Sequence, residues 1–220
     1  MDFIFKPNLG LYLPLYELDG ASFVSKDAYG HLLSVYGPEW KPDGRWFDGV
    51  DDYIKCSIAN WRADDTRGTL AVWFKATTTG TLFASCDEAT GNYQWAFYVG
   101  QSPPALSAAV VTGAGNTRYC YGHTPVGDGN WHFGVWSSDG SIYRLFVDLE
   151  PQTLTFPTGG NDGVWLAGVA NRDNFAVGAR LRSSPLYCPL GMIGAVYYYG
   201  EVMSLPDMQS LYLATKRRYR

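Results

Sequence analysis

A sugar-cleaving β-sandwich needs carboxylates on alternate positions of one strand. Residues i, i+2 and i+4 share a face there and can bring an acid and a base to one glycosidic bond. The chain has no such run. Asp64-Asp65 and Asp87-Glu88 are adjacent pairs, which diverge on a strand and read as solvated turn charges. His31, His123 and His132 accompany no G-x-S-x-G element, so no serine nucleophile is set up. His132 follows Trp131 and reads as a hydrogen-bonding or packing residue. Cys56, Cys86, Cys120 and Cys188 lie far apart without a C-x-x-C pair, so zinc and redox spacings are absent. They read either as buried thiols or, in an oxidising compartment, as two disulfides. No catalytic residue is assigned, and the chain is not expected to be an enzyme.

Aromatic side chains are the remaining chemistry. A pyranose docks its C–H face on a ring while polar side chains meet its hydroxyls. The candidates for ligand binding are Trp61, in the polar stretch 60–67, Tyr93, Tyr119 and Tyr121. Tyr119 and Tyr121 alternate and so share a strand face. Tyr197 and Tyr199 share another, and an uncharged strand from Gly194 to Tyr199 offers a face that a partner chain would cover.

The elements that position these residues are strands. The 16 Tyr, 11 Phe and 8 Trp favour sheets, and the 25 Gly and 12 Pro supply turns. Arg45-Trp46-Phe47-Asp48-Gly49-Val50-Asp51-Asp52-Tyr53-Ile54 reads as a hairpin about an Asp-Gly turn. Leu70, Val72 and Phe74 share one face of the next strand. Tyr93, Trp95 and Phe97 share one face of another. Leu11–Tyr16 reads as a strand that Pro14 places at an edge or breaks with a bulge. Ser204 caps a C-terminal helix whose apolar face is Met208, Leu211 and Tyr212. No internal repeat or linker interrupts the 220 residues, so one domain over 1–220 is expected.

Phe47-Asp48-Gly49, with Asp52-Tyr53-Ile54, resembles the FDGxxDYI signature of laminin-G-like, concanavalin A-like domains. Gly68–Ala76, Asp128–Val135, with Trp131-His132 in the family's place, Ser141–Asp148 and Leu190–Tyr199 resemble further segments of that family in the same order. The resemblance implies an all-β fold: a jelly-roll β-sandwich of two antiparallel sheets with a short C-terminal helix. Leu149 stands where the family has Gly after the Asp, so a different turn is expected there. Relatives hold calcium through an early Asp and the acids of an IDE segment. Asp27 is present, but Gly194 and Ala195 replace the acids, so no cofactor is assigned. Calcium stays open there as the lesser reading; Asp48, Asp51 and Asp52 offer ligands elsewhere but read first as turn caps.

The implied function is non-catalytic recognition of a glycan or protein surface, as in adhesion. The alternative is a structural component of a larger assembly, such as a virion decoration or fibre protein; a glycoside hydrolase is the weakest reading. A net charge of −4 offers no field for nucleic acid. No apolar run is long enough for membrane insertion. The N-terminus lacks the basic n-region of a signal peptide, so a virion surface, or the extracellular space after release, is the expected location.

Overall fold

The computed structural model describes residues 8–58 and 61–219. Among these, two large antiparallel sheets face each other. One has nine strands, in the order Thr155–Thr158, Thr117–Pro125, Ala105–Thr112, Tyr93–Gly100, Gly80–Cys86, Asn174–Val177, Tyr53–Ser57, Leu32–Tyr36 and Ser22–Val24. The other has eight. Its centre is Trp131–Ser138, Gly68–Ala76 and Leu190–Tyr199, and the last of these pairs with both Gly44–Asp48 and Leu9–Pro14. The strand ending at Pro14 lies at an edge, where its missing N–H costs no ladder bond.

Alternation places Trp95, Phe97 and Val99 from one sheet opposite Leu70, Val72 and Phe74 from the other. Between the layers Trp95 and Trp136 stack at 4.4 Å, and Trp165 meets them edge-on at 4.8 and 4.7 Å. No described helix is long and apolar enough to cross a membrane.

The Asp-Gly segment is not a hairpin. Gly44–Asp48 belongs to the eight-stranded sheet, and Tyr53–Ser57 to the nine-stranded one. The turn carries the chain from one layer to the other, with Phe47 and Ile54 fully buried on either side. Asp48 Oδ1 accepts from the Val50 N–H (2.8 Å), and Asp52 Oδ2 accepts from the Asp48 N–H (2.9 Å). Gly49 sits at φ 83°, where a side chain would be strained. A hairpin pattern and a corner share the same turn residues, so sequence alone does not separate them.

The turn at Asp148-Leu149 forms a two-residue hairpin without a glycine. Asp148 and Leu149 have φ 50° and 75°, the left-handed pair that a two-residue hairpin demands. Leu149 takes the strained position and packs against the outer hydrophobic cluster.

Asp148 also anchors His132. Its Oδ1 accepts from the Phe133 N–H at 2.8 Å, and its Oδ2 lies 2.8 Å from His132 Nδ1. His132 Nε2 lies 3.1 Å from Asp128. The Asp148 hydrogen bond, followed by that to Asp128, raises the His132 pKa above 6.5 against the opposing effect of burial. A protonated His132 therefore stabilises the fold. That stabilisation is fully present below the unfolded value of 6.5 and is lost as pH rises through the higher folded value. Urea unfolding across this range should show the loss in wild type and not in His132→Asn; parallel profiles would contradict the assignment.

Candidate functional site: a tyrosine groove on the outer face of the nine-stranded sheet

The outer face of this sheet carries a row of alanines in register across four strands. Ala176 pairs with Ala84, Ala84 with Ala96, and Ala96 with Ala109. The row ends at Tyr119, the partner of Ala109. Small side chains leave room above the sheet. The two-stranded hairpin of Arg180–Arg182 and Ser184–Leu186 lies there. Leu181 clusters with Ala176, Ala179 and Cys188. Backbone bonds from Thr81 N to Tyr187 O (2.7 Å) and from Ser183 N to Glu88 O (2.8 Å) fasten the hairpin down.

Past the hairpin the floor rises into rings. Tyr98 and Tyr119 stack at 6.2 Å, Tyr119 and Tyr121 lie 5.9 Å apart, and Tyr121 meets His123 at 5.5 Å. The Gln101 amide nitrogen donates to the Tyr119 hydroxyl. A cleft of about 330 Å³ opens between Tyr98, Gln101, Tyr119, Arg180 and Tyr187. A second, of about 220 Å³, continues past Gln101 to Tyr121 and His123. The shared Gln101 makes them one groove. Gln101 and Tyr187 both hold positive φ, 72° and 57°, which is uncommon for side-chain-bearing residues and concentrates at ligand sites. Burial raises the Tyr98 hydroxyl pKa, with Arg180 pulling the other way.

Of the four aromatic candidates the structure brings together Tyr119 and Tyr121. Trp61 is not an exposed loop residue. It is 6% exposed and packs on Phe175, Tyr198 and Phe83 at 4.7, 5.0 and 6.0 Å. The polarity of its neighbours concealed an inward-facing indole. Of those neighbours, Asn60 lies outside the described residues. Tyr93 shares the inward face of Trp95 and Phe97 and packs against the core, so it is apart from the groove. The same alternation sends Tyr98 outward. That residue was recoverable from the sequence once the tryptophan face was recognised as the core face. Arg180 gave no such signal, because its hairpin pairs with neither large sheet.

Tyr197 and Tyr199 do not offer a face to a partner. Both are fully buried beneath the chain's own helix Leu205–Thr215, with Tyr12, Met208, Leu211 and Tyr219. Tyr12 stacks on Tyr197 at 5.0 Å, and Trp73 Nε1 donates to Thr215 Oγ1 at 2.8 Å. Ser204 Oγ caps the helix by accepting from the Asp207 N–H at 3.3 Å. The Tyr219 ring fills the space that a side chain at Gly194 would need. This accounts for the residue that stands in place of the family's acid.

The Asp27 carboxylate accepts from the Tyr12, Tyr29 and Gly30 N–H groups at 3.0, 2.9 and 3.3 Å, a strand-fastening role. Asp48, Asp51 and Asp52 place oxygens within 4.8 Å of one another, two of them already engaged in the corner turn. The four cysteines are free and buried. Burial pushes Cys86 and Cys120 up to about 12.

A sequence profile described as the concanavalin A-like lectin/glucanases superfamily matches residues 48–204. The chain belongs to this superfamily. No curated protein sequence matches it. Among solved structures, this concanavalin A-like chain is similar to the CBM40 of the Ruminococcus gnavus IT-sialidase. The TM-score is 0.59 at 16% identity, over 68% of this chain and 84% of that one. The same module, solved with α2,6-sialyllactose, matches over 76% and 96% at 15% identity with TM-score 0.59. Trypanosoma rangeli sialidase matches with TM-score 0.70 at 17% identity, over 98% of this chain and 34% of the enzyme. These likenesses establish a shared sandwich.

Two substitutions separate the core from the site. Trp61→Ala should cost about 3 to 5 kcal/mol of stability, read as a lower urea midpoint. Ala176→Leu should overpack the floor beneath Leu181 and lift the hairpin, at about 1 to 3 kcal/mol, with new protease sensitivity within 180–187. Cleavage elsewhere, or none, would contradict this account of how the hairpin is seated.

Proposed function

We propose that the chain is a non-catalytic carbohydrate-recognition module that holds a glycan along the groove from Tyr187 to His123. The observation that carries this reading is the row Tyr98, Tyr119, Tyr121. Its rings stand 5.9 to 6.2 Å apart on a rigid sheet and open into clefts of about 330 and 220 Å³. Tyrosines on strands lose little entropy on binding and present both a ring face and a hydroxyl. Gln101 at the centre and His123 at the far end supply the polar edge. The similarity to a CBM40 solved with α2,3- and α2,6-sialyllactose supports the same reading. The T. rangeli sialidase covers the fold but is about three times as long as the part it shares.

A larger recess, of about 460 Å³, lies across the hairpin between Tyr36, Asp51, Tyr53 and Pro185. Tyr36 and Tyr53 there stack as a single pair at 4.6 Å, whereas the row past Arg180 sets three tyrosines and His123 in line beside Gln101 and is the favoured platform.

On a glycan array the chain should retain a defined set of saccharides. Tyr119→Ala and Tyr121→Ala should each weaken binding about tenfold or more with little change in melting temperature. Retention of no saccharide, or wild-type binding by Tyr121→Ala, would contradict the assignment.

A further inference from the structure

Three arginines are buried to a similar depth: Arg45, Arg172 and Arg180 are 3%, 8% and 7% exposed. Arg172 donates to Val169 O, Leu166 O, Ser85 Oγ and Ala63 O, at 2.8, 2.9, 3.0 and 3.4 Å. Arg45 donates to Leu18 O at 2.7 Å and to Pro38 O and Gly20 O at 3.3 Å, with the Asp19 carboxylate at 3.9 Å. Arg180 differs. Among the described residues no carbonyl or carboxylate oxygen accepts from it, and its Nε, like that of Arg45, is buried without a partner. Its neighbours are ring faces, with Tyr98 and Tyr187 centroids 4.2 and 4.7 Å from Cζ. The one oxygen it meets is the Tyr98 hydroxyl, whose pKa it lowers against the larger effect of burial.

Arg182, two residues along the same strand, adds a second positive charge, and its Nε also lacks a partner. Nearby acids are committed elsewhere. Glu88 pairs with Lys55 at 2.7 Å, Asp87 caps Ala89 and Thr90, and Asp173 accepts from Glu88 N and Asn174 Nδ2. A buried guanidinium keeps its charge, and a buried charge without acceptors costs stability. The chain supplies carbonyl and carboxylate acceptors for two such groups and, for the third, a single tyrosine hydroxyl beside a cleft.

We propose that the Arg180 end of the groove is a carboxylate site, so that the glycan held there is acidic. The inference rests on the glycan reading above and narrows it. The guanidinium fork meets a carboxylate edge-on with two parallel N–H···O bonds, and both groups are planar. The flanking faces of Tyr98 and Tyr187 suit such a flat pair better than a tetrahedral sulfate. Tyr119 and Tyr121 then carry the adjoining ring.

Calorimetry on the intact chain tests this with four probes: 3′-sialyllactose, trigalacturonate, lactose and lactose 3′-sulfate. At least one carboxylated probe should bind about tenfold or more tightly than both lactose and its sulfate. Arg180→Gln should remove that preference, and Arg180→Lys, which keeps the charge but not the fork, should restore only part of it. The wild-type affinity for the carboxylated probe should fall as salt is raised. Should Arg180→Gln not fold, Arg180→Lys and the salt series decide. Lactose binding as tightly as the acids, or Arg180→Gln binding them like wild type, would overturn the carboxylate site and leave the glycan reading standing. Equal binding of the sulfate would overturn the choice of carboxylate. Retention of none of the four would overturn both readings.

Discussion

The smallness of one row of side chains governs the outer face of the nine-stranded sheet. Ala176, Ala84, Ala96 and Ala109 are neighbours across four strands, and each is almost fully buried. On an outer face, that burial is provided by what lies on top. The hairpin carrying Arg180 and Arg182 can approach because the side chain beneath Leu181, that of Ala176, is a methyl group. The groove is what remains where the hairpin stops and the rings of Tyr98 and Tyr119 begin. Interiors transmit volume changes because they are close-packed, so the floor and the position of Arg180 form one structural unit.

The opposite sheet uses its outer face differently. Gly68–Ala76 is buried on both sides: Leu70, Val72 and Phe74 face the sandwich core, and Ala71 and Trp73 face the C-terminal helix. Trp73 stacks on Tyr219 at 4.5 Å and on Tyr212 at 5.3 Å. The helix and tail thus cover one outer face while the hairpin covers part of the other. The open aromatic row lies beyond the hairpin's end, on strands Tyr93–Gly100 and Thr117–Pro125.

Much of the fold was legible in the sequence. Period-two alternation identified the core faces at Leu70–Phe74 and Tyr93–Phe97, and Ser204 marked the helix start. The Asp-Gly corner was misread because its turn chemistry is common to hairpins and crossovers, and only long-range pairing tells them apart. Leu149 shows that packing can hold a residue in a conformation its side chain disfavours. The proposed groove was half legible. The shared face of Tyr119 and Tyr121 follows from alternation alone. Trp61 and Tyr93 lie apart from it, Trp61 buried behind polar neighbours and Tyr93 packed on the core face of its strand. Arg180 depends on a contact between a short hairpin and a distant sheet face, and no local pattern encodes that.

Where a saccharide touches the chain decides whether the tyrosine groove is the binding site. Backbone amide shifts of the isotope-labelled protein, followed by NMR during titration with an acidic oligosaccharide, measure this directly. The account predicts perturbations confined to 98–101, 119–123 and 180–187. Shifts clustered instead at the helix Leu205–Thr215, or at the Tyr36–Tyr53 recess, would contradict it.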